Sequence, residues 1–205
     1  MLVVIDYLMG NLGSITNMLK KIGAKVTISS SPADIEQADK LILPGVGTFD
    51  CGMKKLHELG LVPVLKHKVI ENKTPILGIC LGMQLFSKRS GEGKMPGLGW
   101  LDAETIRFKF ADAQFVPKVP HMGWNTVSIM RRSSLFDNMY AESRFYFLHS
   151  YHVVCNDDAD ILTKTHHGYD FVSSIMRGNI SGVQFHPEKS HKFGMRLLEN
   201  FVHSS

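Results

Sequence analysis

Three short segments hold residue types that together support nucleophilic acyl chemistry. Gly78-Ile79-Cys80-Leu81-Gly82 places a thiol where a short apolar run, Ile76 to Ile79, meets a segment from Leu81 to Ser87 that reads as the start of a helix. A sharp strand-to-helix turn forces its central residue into a strained backbone conformation and crowds the residues on either side. Glycine two places before or after the thiol relieves that crowding. A helix N-terminus also favours the thiolate. An isolated cysteine at a strand end is more commonly an inert buried side chain; the two glycines and the strand–helix context make the reactive reading its equal.

A thiolate nucleophile needs a base, and the base needs a group to orient it. Gly182-Val-Gln-Phe-His-Pro-Glu188 offers both. His186 falls at the end of an apolar run, Val183 to Phe185, that reads as a strand. Side chains two apart on an extended chain share a face, so His186 and Glu188 are expected side by side. Pro187 stiffens the connection and biases His186 toward extended backbone. Alone, His-Pro-Glu is a weak signal; with Cys80 it completes a Cys–His–Glu set. Acyl transfer also requires donors for the developing oxyanion. The Leu81 N–H is one. Gly45-Val46-Gly47, after a third apolar strand, is placed to supply another, although a plain glycine turn has the same sequence.

Other chemistries find little support. Gly91-Glu-Gly-Lys94 is not a phosphate loop, because Met95 stands where Ser or Thr must bind magnesium. Gly10-Asn-Leu-Gly13 lacks dinucleotide spacing. His149 and His152, three apart on expected strands, should face opposite ways, and no metal site is read. The formal charge of +4 is scattered and basic residues are not interleaved with aromatics, which argues against a nucleic-acid surface. Cys51, Cys80 and Cys155 form no Cys-x-x-Cys, so neither a zinc knuckle nor a disulfide scaffold is indicated, and a reducing cytoplasm fits. The opening apolar run, Leu2 to Ile5, is too short for a secretory h-region, and none is long enough to span a bilayer.

The elements that must position these residues read as follows. Leu2–Asp6 is a first strand. Ser14 is the expected cap of a helix with Ile15, Met18, Leu19 and Ile22 on one face, closed by Gly23. Lys25–Ile28 and Lys40–Leu43 are further strands, with a short helix at Ser31-Pro32 between them and helical segments from there to about Asn72. This alternation predicts an α/β domain with a mainly parallel sheet. From Leu101 the pattern changes: 101–110, 124–130, 145–149, 152–155, 161–165, 171–176 and 180–185 all read as strands with few helices between them, as antiparallel additions to the parallel core. Lys192–Val202 closes the chain as a helix. No linker or repeat interrupts the 205 residues, so a single domain over 1–205 is expected.

Leu43-Pro-Gly-Val-Gly47, Gly78-Ile-Cys-Leu-Gly-Met-Gln84 and Gln184-Phe-His-Pro-Glu188 together closely resemble the class I glutamine amidotransferases. Pro120-His-Met-Gly-Trp-Asn125 and Phe147-Leu-His-Ser-Tyr151 narrow the resemblance to the branch of glutaminases that serve imidazole glycerol phosphate synthase. The resemblance covers the whole chain. It implies a flavodoxin-like fold, a mainly parallel sheet flanked by helices with added antiparallel strands. It implies no cofactor. It makes Cys80 the nucleophile, His186 the base and then acid, and Glu188 its orienter. Gly45, Val46, Gly47 and Leu81 correspond to the oxyanion wall, and Gln84, Ser150 and Tyr151 to residues holding the amino-acid end of glutamine. Asn11, Met122, Trp124 and Lys189 correspond to a face that meets a (β/α)8 cyclase, forming a heterodimer in the cytoplasm; ammonia crosses that face in histidine biosynthesis.

Four features depart from that pattern. Leu8 replaces a glycine, and Thr48 a histidine. Gly99-Trp100 and Lys189-Ser-His-Lys192 are more similar to paralogues found beside surface-polysaccharide genes, which are thought to feed a sugar-amidinating partner. A cysteine hydrolase acting on γ-glutamyl bonds or peptides, and a silent scaffolding protein, are the other readings; Pro120–Asn125 weighs against the first and the intact Cys–His–Glu set against the second.

Overall fold

The computed structural model describes residues 1–110 and 116–204. The first half alternates strand and helix: β1 Leu2–Ile5, α1 Leu12–Lys21, β2 Val26–Ser29, α2 Pro32–Glu36, β3 Lys40–Leu43, α3 Phe49–Glu58, α4 Leu61–Lys66, a π-helical turn His67–Glu71, β4 Ile76–Ile79 and α5 Leu81–Gln84. The second half is mostly strand: β5 Arg89–Ser90, β6 Ala103–Arg107, β7 His121–Thr126, β8 Ser128–Ile129, β9 Arg144–His149, β10 Tyr151–Cys155, β11 Ile161–His167, β12 Tyr169–Arg177 and β13 Ile180–Val183, before α6 His191–His203.

The main sheet runs β2-β1-β3-β4-β13-β12-β10-β6-β5, with β11 pairing β12 and β8. Its first five strands are parallel; β13 pairs antiparallel with β12, and β12 with β10. The parallel sheet with antiparallel additions expected from the sequence is thus present, as one mixed sheet with its parallel block running from the edge strand β2 to β13. Both faces are covered, which is why β1 is apolar at every position instead of alternating. Val3 and Ile5 pack into one core with Phe49, Met53, Leu56 and Leu65 of α3 and α4. Leu2 and Val4 pack into the other with Ile15 and Leu19 of α1 and Phe193, Leu197, Leu198 and Phe201 of α6. β7 and β9 form a separate two-stranded sheet whose register pairs His121 with His149 and Trp124 with Tyr146.

Several boundaries differ from expectation. α1 starts at Leu12 with Asn11 at its N-cap, so Ser14 lies inside the helix and caps nothing. The helix after Cys80 is a single turn. At Phe86 the chain turns away so that Lys88 and Gly91 can bond to β6, which creates β5. The run expected over 124–130 divides at Val127: β7 pairs with β9, and β8 with β11. β11 and β12 extend toward each other and join at Gly168, which has φ +76°.

Candidate active site

β4 delivers Cys80 to the C-terminal end of the parallel strands. The Cys80 N–H donates to the Val183 carbonyl at 2.8 Å, the last bond joining β4 to β13. At the next bond the chain reverses: Cys80 adopts φ 53°, ψ −109°, a left-handed conformation that a side chain resists. The glycines expected to relieve this turn do so by close approach. A Cβ on Gly78 would lie 2.7 Å from the Met83 nitrogen and 2.8 Å from the Gly82 carbonyl carbon, and one on Gly82 would lie 1.9 Å from the Leu43 carbonyl oxygen. The elbow is therefore wedged against the end of β3, where Pro44–Gly47 begins. A Cβ on Gly45 would meet the Gly82 nitrogen and the Leu81 Cβ, both at 2.7 Å, and the Tyr7 hydroxyl at 2.6 Å. That hydroxyl is fully buried, has no hydrogen-bond partner among the described residues, and is held protonated first by burial and then by the nearby Cys80 charge.

His186 reaches the same cavity from the end of β13. Its N–H donates to the Tyr146 carbonyl at 2.9 Å, and its Nδ1 lies 2.8 Å from Glu188 Oε1, with both side chains almost fully buried. The route differs from the expected one. Pro187–Lys189 is a 3-10 turn, so the carboxylate meets the ring by folding back and not by lying beside it on an extended chain. Ser190 locks this turn: its hydroxyl donates to the His186 carbonyl at 2.6 Å and accepts the Tyr146 N–H at 3.0 Å. Burial disfavours the imidazolium, but the Cys80 sulfur and the Glu188 carboxylate outweigh it and raise the His186 pKa to about 10.

One cavity of about 280 Å³ gathers most of the expected residues: Val46, Gly47, Cys80, Leu81, Gln84, Ser150, Tyr151, His186 and Lys189 all line it. Gly45 lies against the elbow and Glu188 behind His186. Asn11, Met122 and Trp124 do not line the cavity. Asn11 caps α1 next to Gly10, whose Cβ site is 3.1 Å from Pro44. Met122 and Trp124 are 62% and 42% exposed on β7. The Trp124 ring stacks on His191, and the Lys189 ammonium sits 5.6 Å above the ring of Tyr146, the cross-strand neighbour of Trp124.

The cavity also includes Glu92, Pro120, Leu148 and His149, which sequence reasoning did not place there. Glu92 accepts the Phe49 N–H at 2.8 Å and so caps α3, while Asp50 in the first turn of that helix accepts the Lys94 and Met95 N–H groups. These bonds hold the Asp50 carboxyl below its usual range and pin the Gly91–Lys94 loop to α3. His149 and His152 do not face opposite ways: their rings lie 5.3 and 4.7 Å from the same Phe108 ring. Side-chain alternation fails because the chain leaves one sheet at Ser150 and enters the other at Tyr151. Among the described residues, no group of three or more His, Cys, Asp or Glu side chains is placed to hold a metal ion.

The arrangement can activate a thiol, orient a base and enclose a small amide. Comparison with known proteins gives the family and the fold. Residues 3–205 match the model of the family described as glutamine amidotransferase class-I. The chain is 54% identical over 202 residues to the imidazole glycerol phosphate synthase subunit HisH 2 of Methanococcus maripaludis, covering 98% of each chain. It is 52% identical, with the same coverage, to the HisH 2 subunit of Pseudomonas aeruginosa. Its fold is similar to that of a GMP synthase subunit from Thermoplasma acidophilum, with a TM-score of 0.71 at 20% identity, over 98% of this chain and 91% of that one.

Proposed function

This chain belongs to the glutamine amidotransferase class-I family, and on that premise we propose that it is the glutaminase subunit of an imidazole glycerol phosphate synthase. It hydrolyses glutamine to glutamate and ammonia and passes the ammonia to a partner subunit. The partner is a (β/α)8 cyclase, which forms imidazole glycerol phosphate and an aminoimidazole carboxamide ribonucleotide in histidine biosynthesis. The observation that carries the reading is the buried His186–Glu188 pair, 2.8 Å apart, opening on the same cavity as Cys80.

The Cys80 thiolate attacks the carboxamide carbon of glutamine. The oxyanion that forms faces the Leu81 N–H and the Gly45–Gly47 loop. His186, charged while it faces a thiolate, protonates the departing amine and leaves a γ-glutamyl thioester. Acylation removes the sulfur's negative charge, one of the two influences that raise the His186 pKa. Burial then favours the neutral ring, so the same group turns from acid to base and activates the water that releases glutamate. Gln84, Ser150 and Tyr151 hold the amino-acid end. Both Gln84 amide hydrogens are engaged inside the protein, leaving its Oε1 to accept from an ammonium group.

The partner face comprises Asn11, Met122, Trp124 and Lys189. Exposed apolar side chains beside a lysine suit a docking rim. The catalytic unit spans 1–205 as one domain and works in the cytoplasm; no described helix is long and apolar enough to cross a membrane. The test is product formation by the complex carrying Cys80→Ala, once with glutamine and once with ammonium chloride at alkaline pH. Glutamine-dependent synthesis should vanish and ammonium-dependent synthesis persist. Retained glutamine-dependent synthesis would make Cys80 structural. An acceptor other than the cyclase substrate would favour the sugar-amidinating paralogue.

A further inference from the structure

The floor of the cavity is built from amides and imidazoles whose donors can be assigned one at a time. The Tyr151 carbonyl can only accept. It takes the Nδ1–H of His149 at 2.8 Å and one Nε2–H of Gln84 at 3.0 Å. Burial keeps His149 neutral, so its other nitrogen is an acceptor, and His121 Nδ1, 3.0 Å away, must donate to it. His121 Nε2 in turn accepts from the Asn125 amide at 3.2 Å, and that amide also donates to the His166 carbonyl at 2.9 Å. Every bond from β7 to the cavity floor therefore points the same way.

The second Gln84 hydrogen continues the pattern toward the sulfur. It goes to Gln184 Oε1 at 2.9 Å. This contact fixes the Gln184 amide, because a flipped amide would set two NH2 groups against each other. With its oxygen held by Gln84, Gln184 can present only Nε2 to Cys80, and that atom lies 3.6 Å from Sγ. Gln184 is fully buried, and its N–H is held by the Ser173 carbonyl at 2.9 Å. It has no route to solvent and no need of one, since its side chain is satisfied by Gln84 and the sulfur.

We propose that Gln184 is a further catalytic residue, its side-chain N–H donating to the Cys80 thiolate, and that Gln84, the Tyr151 carbonyl and the His149–His121 pair are positioning groups that fix the direction of that bond. A hydrogen bond to a charged sulfur stabilises the thiolate over the thiol. His186 supplies charge from one side, and Gln184 supplies a fixed dipole from the other. The dipole remains when His186 loses its proton, so the sulfur keeps a stabilising partner throughout the cycle. The proposal rests on Cys80 being the nucleophile, and its test reads the sulfur and not turnover, so the two can fail separately.

The experiment measures the pH dependence of iodoacetamide alkylation at Cys80 in the full chain, resolved from Cys51 and Cys155 by peptide mass spectrometry. Gln184→Glu keeps the shape and the acceptor facing Gln84 but replaces the donor facing Sγ with an oxygen. Gln184→Met removes the donor without adding charge. The ionisable groups around the sulfur and its cavity are His186 with Glu188 behind it, Tyr7, Tyr151, Glu92, His149 and Lys189, and neither substitution alters them. The pH of half-maximal alkylation should rise by about one unit in Gln184→Met, and further in Gln184→Glu. A merely structural glutamine would change stability and leave this profile in place. An unchanged profile in either variant with a native circular-dichroism spectrum overturns the proposal. If neither variant folds, the unsubstituted chain decides: the Gln184 side-chain NH2 resonances must move as Cys80 titrates, and stationary resonances overturn it. A Cys80 that resists alkylation at every pH removes the nucleophile and this inference with it.

Discussion

Replacing Cys80 by alanine and by glycine should give an inverted stability order. At an ordinary position glycine is the less stable, by about 0.5–1 kcal/mol, because it releases more backbone entropy on unfolding. Cys80 is not at an ordinary position: φ 53°, ψ −109° falls close to the first central residue of a type II′ turn, which glycine dominates. Holding a Cβ there costs about 1–3 kcal/mol. Alanine keeps that Cβ and glycine removes it, while both lose the same sulfur contacts with the Gln184 amide and the Leu148 carbonyl. The shared losses cancel in the comparison. Subtracting the entropic penalty from the strain, each at the middle of its range, leaves Cys80→Gly more stable than Cys80→Ala by about 1 kcal/mol. Urea denaturation of the two proteins measures this directly, provided their slopes agree. An alanine variant with a midpoint equal to or above that of the glycine variant would refute the claim that the elbow is strained.

Two more outcomes follow from the geometry. The charged form of His186 is favoured in the fold, with a pKa of about 10 against about 6.5 unfolded, so its stabilising contribution is complete below about pH 6.5 and is lost as pH rises toward 10. The stability difference between the unsubstituted chain and His186→Ala should therefore shrink across that window, and a constant difference in pH-resolved urea titrations would contradict the assignment. Leu8 is 67% exposed with φ 65°, in a place where the family resemblance leads one to expect glycine. Relief of about 1–2 kcal/mol of left-handed strain, less the entropic penalty, should make Leu8→Gly more stable by about 0.5–1 kcal/mol. Its melting temperature should rise by about 1–4 °C, and a fall would count against the strain.

What was legible in the sequence divides by range. The elbow is a local steric problem, and Gly78, Cys80 and Gly82 state both the problem and its solution within five residues. The parallel strands of the first half are equally plain, because continuous apolar runs alternate with helical stripes. Ser150, Tyr151 and the partner-face residues came from resemblance and not from any pattern in the chain. The Gln84–Gln184 contact spans a separation of 100 residues and has no local signature at all. The same holds for His121 and His149, which meet only because β7 and β9 pair in register. His149 and His152 meet the same Phe108 ring for a related reason: alternation holds within one strand, and Ser150 is where the chain changes sheets. Glu92 has no local signature either, since it caps α3 from 43 residues away in the chain.

Gly45 approaches the Gly82 nitrogen, Gly78 the Met83 nitrogen and Gly82 the Leu43 carbonyl, so main chain packs on main chain at all three positions. This seam limits how the lineage can change. A side chain added at any of the three positions strikes main-chain atoms at 2.7 Å or closer, and a neighbouring rotamer cannot make room for it. Mutational drift is therefore closed at the seam and open at the thiol and the imidazole, where substitutions leave the architecture standing. A descendant that abandons glutamine and keeps only its role as a docking protein should lose Cys80 or His186 first and retain all three glycines. Among diverged copies, the glycines then record that the fold survives, and the cysteine and histidine record whether the chemistry does.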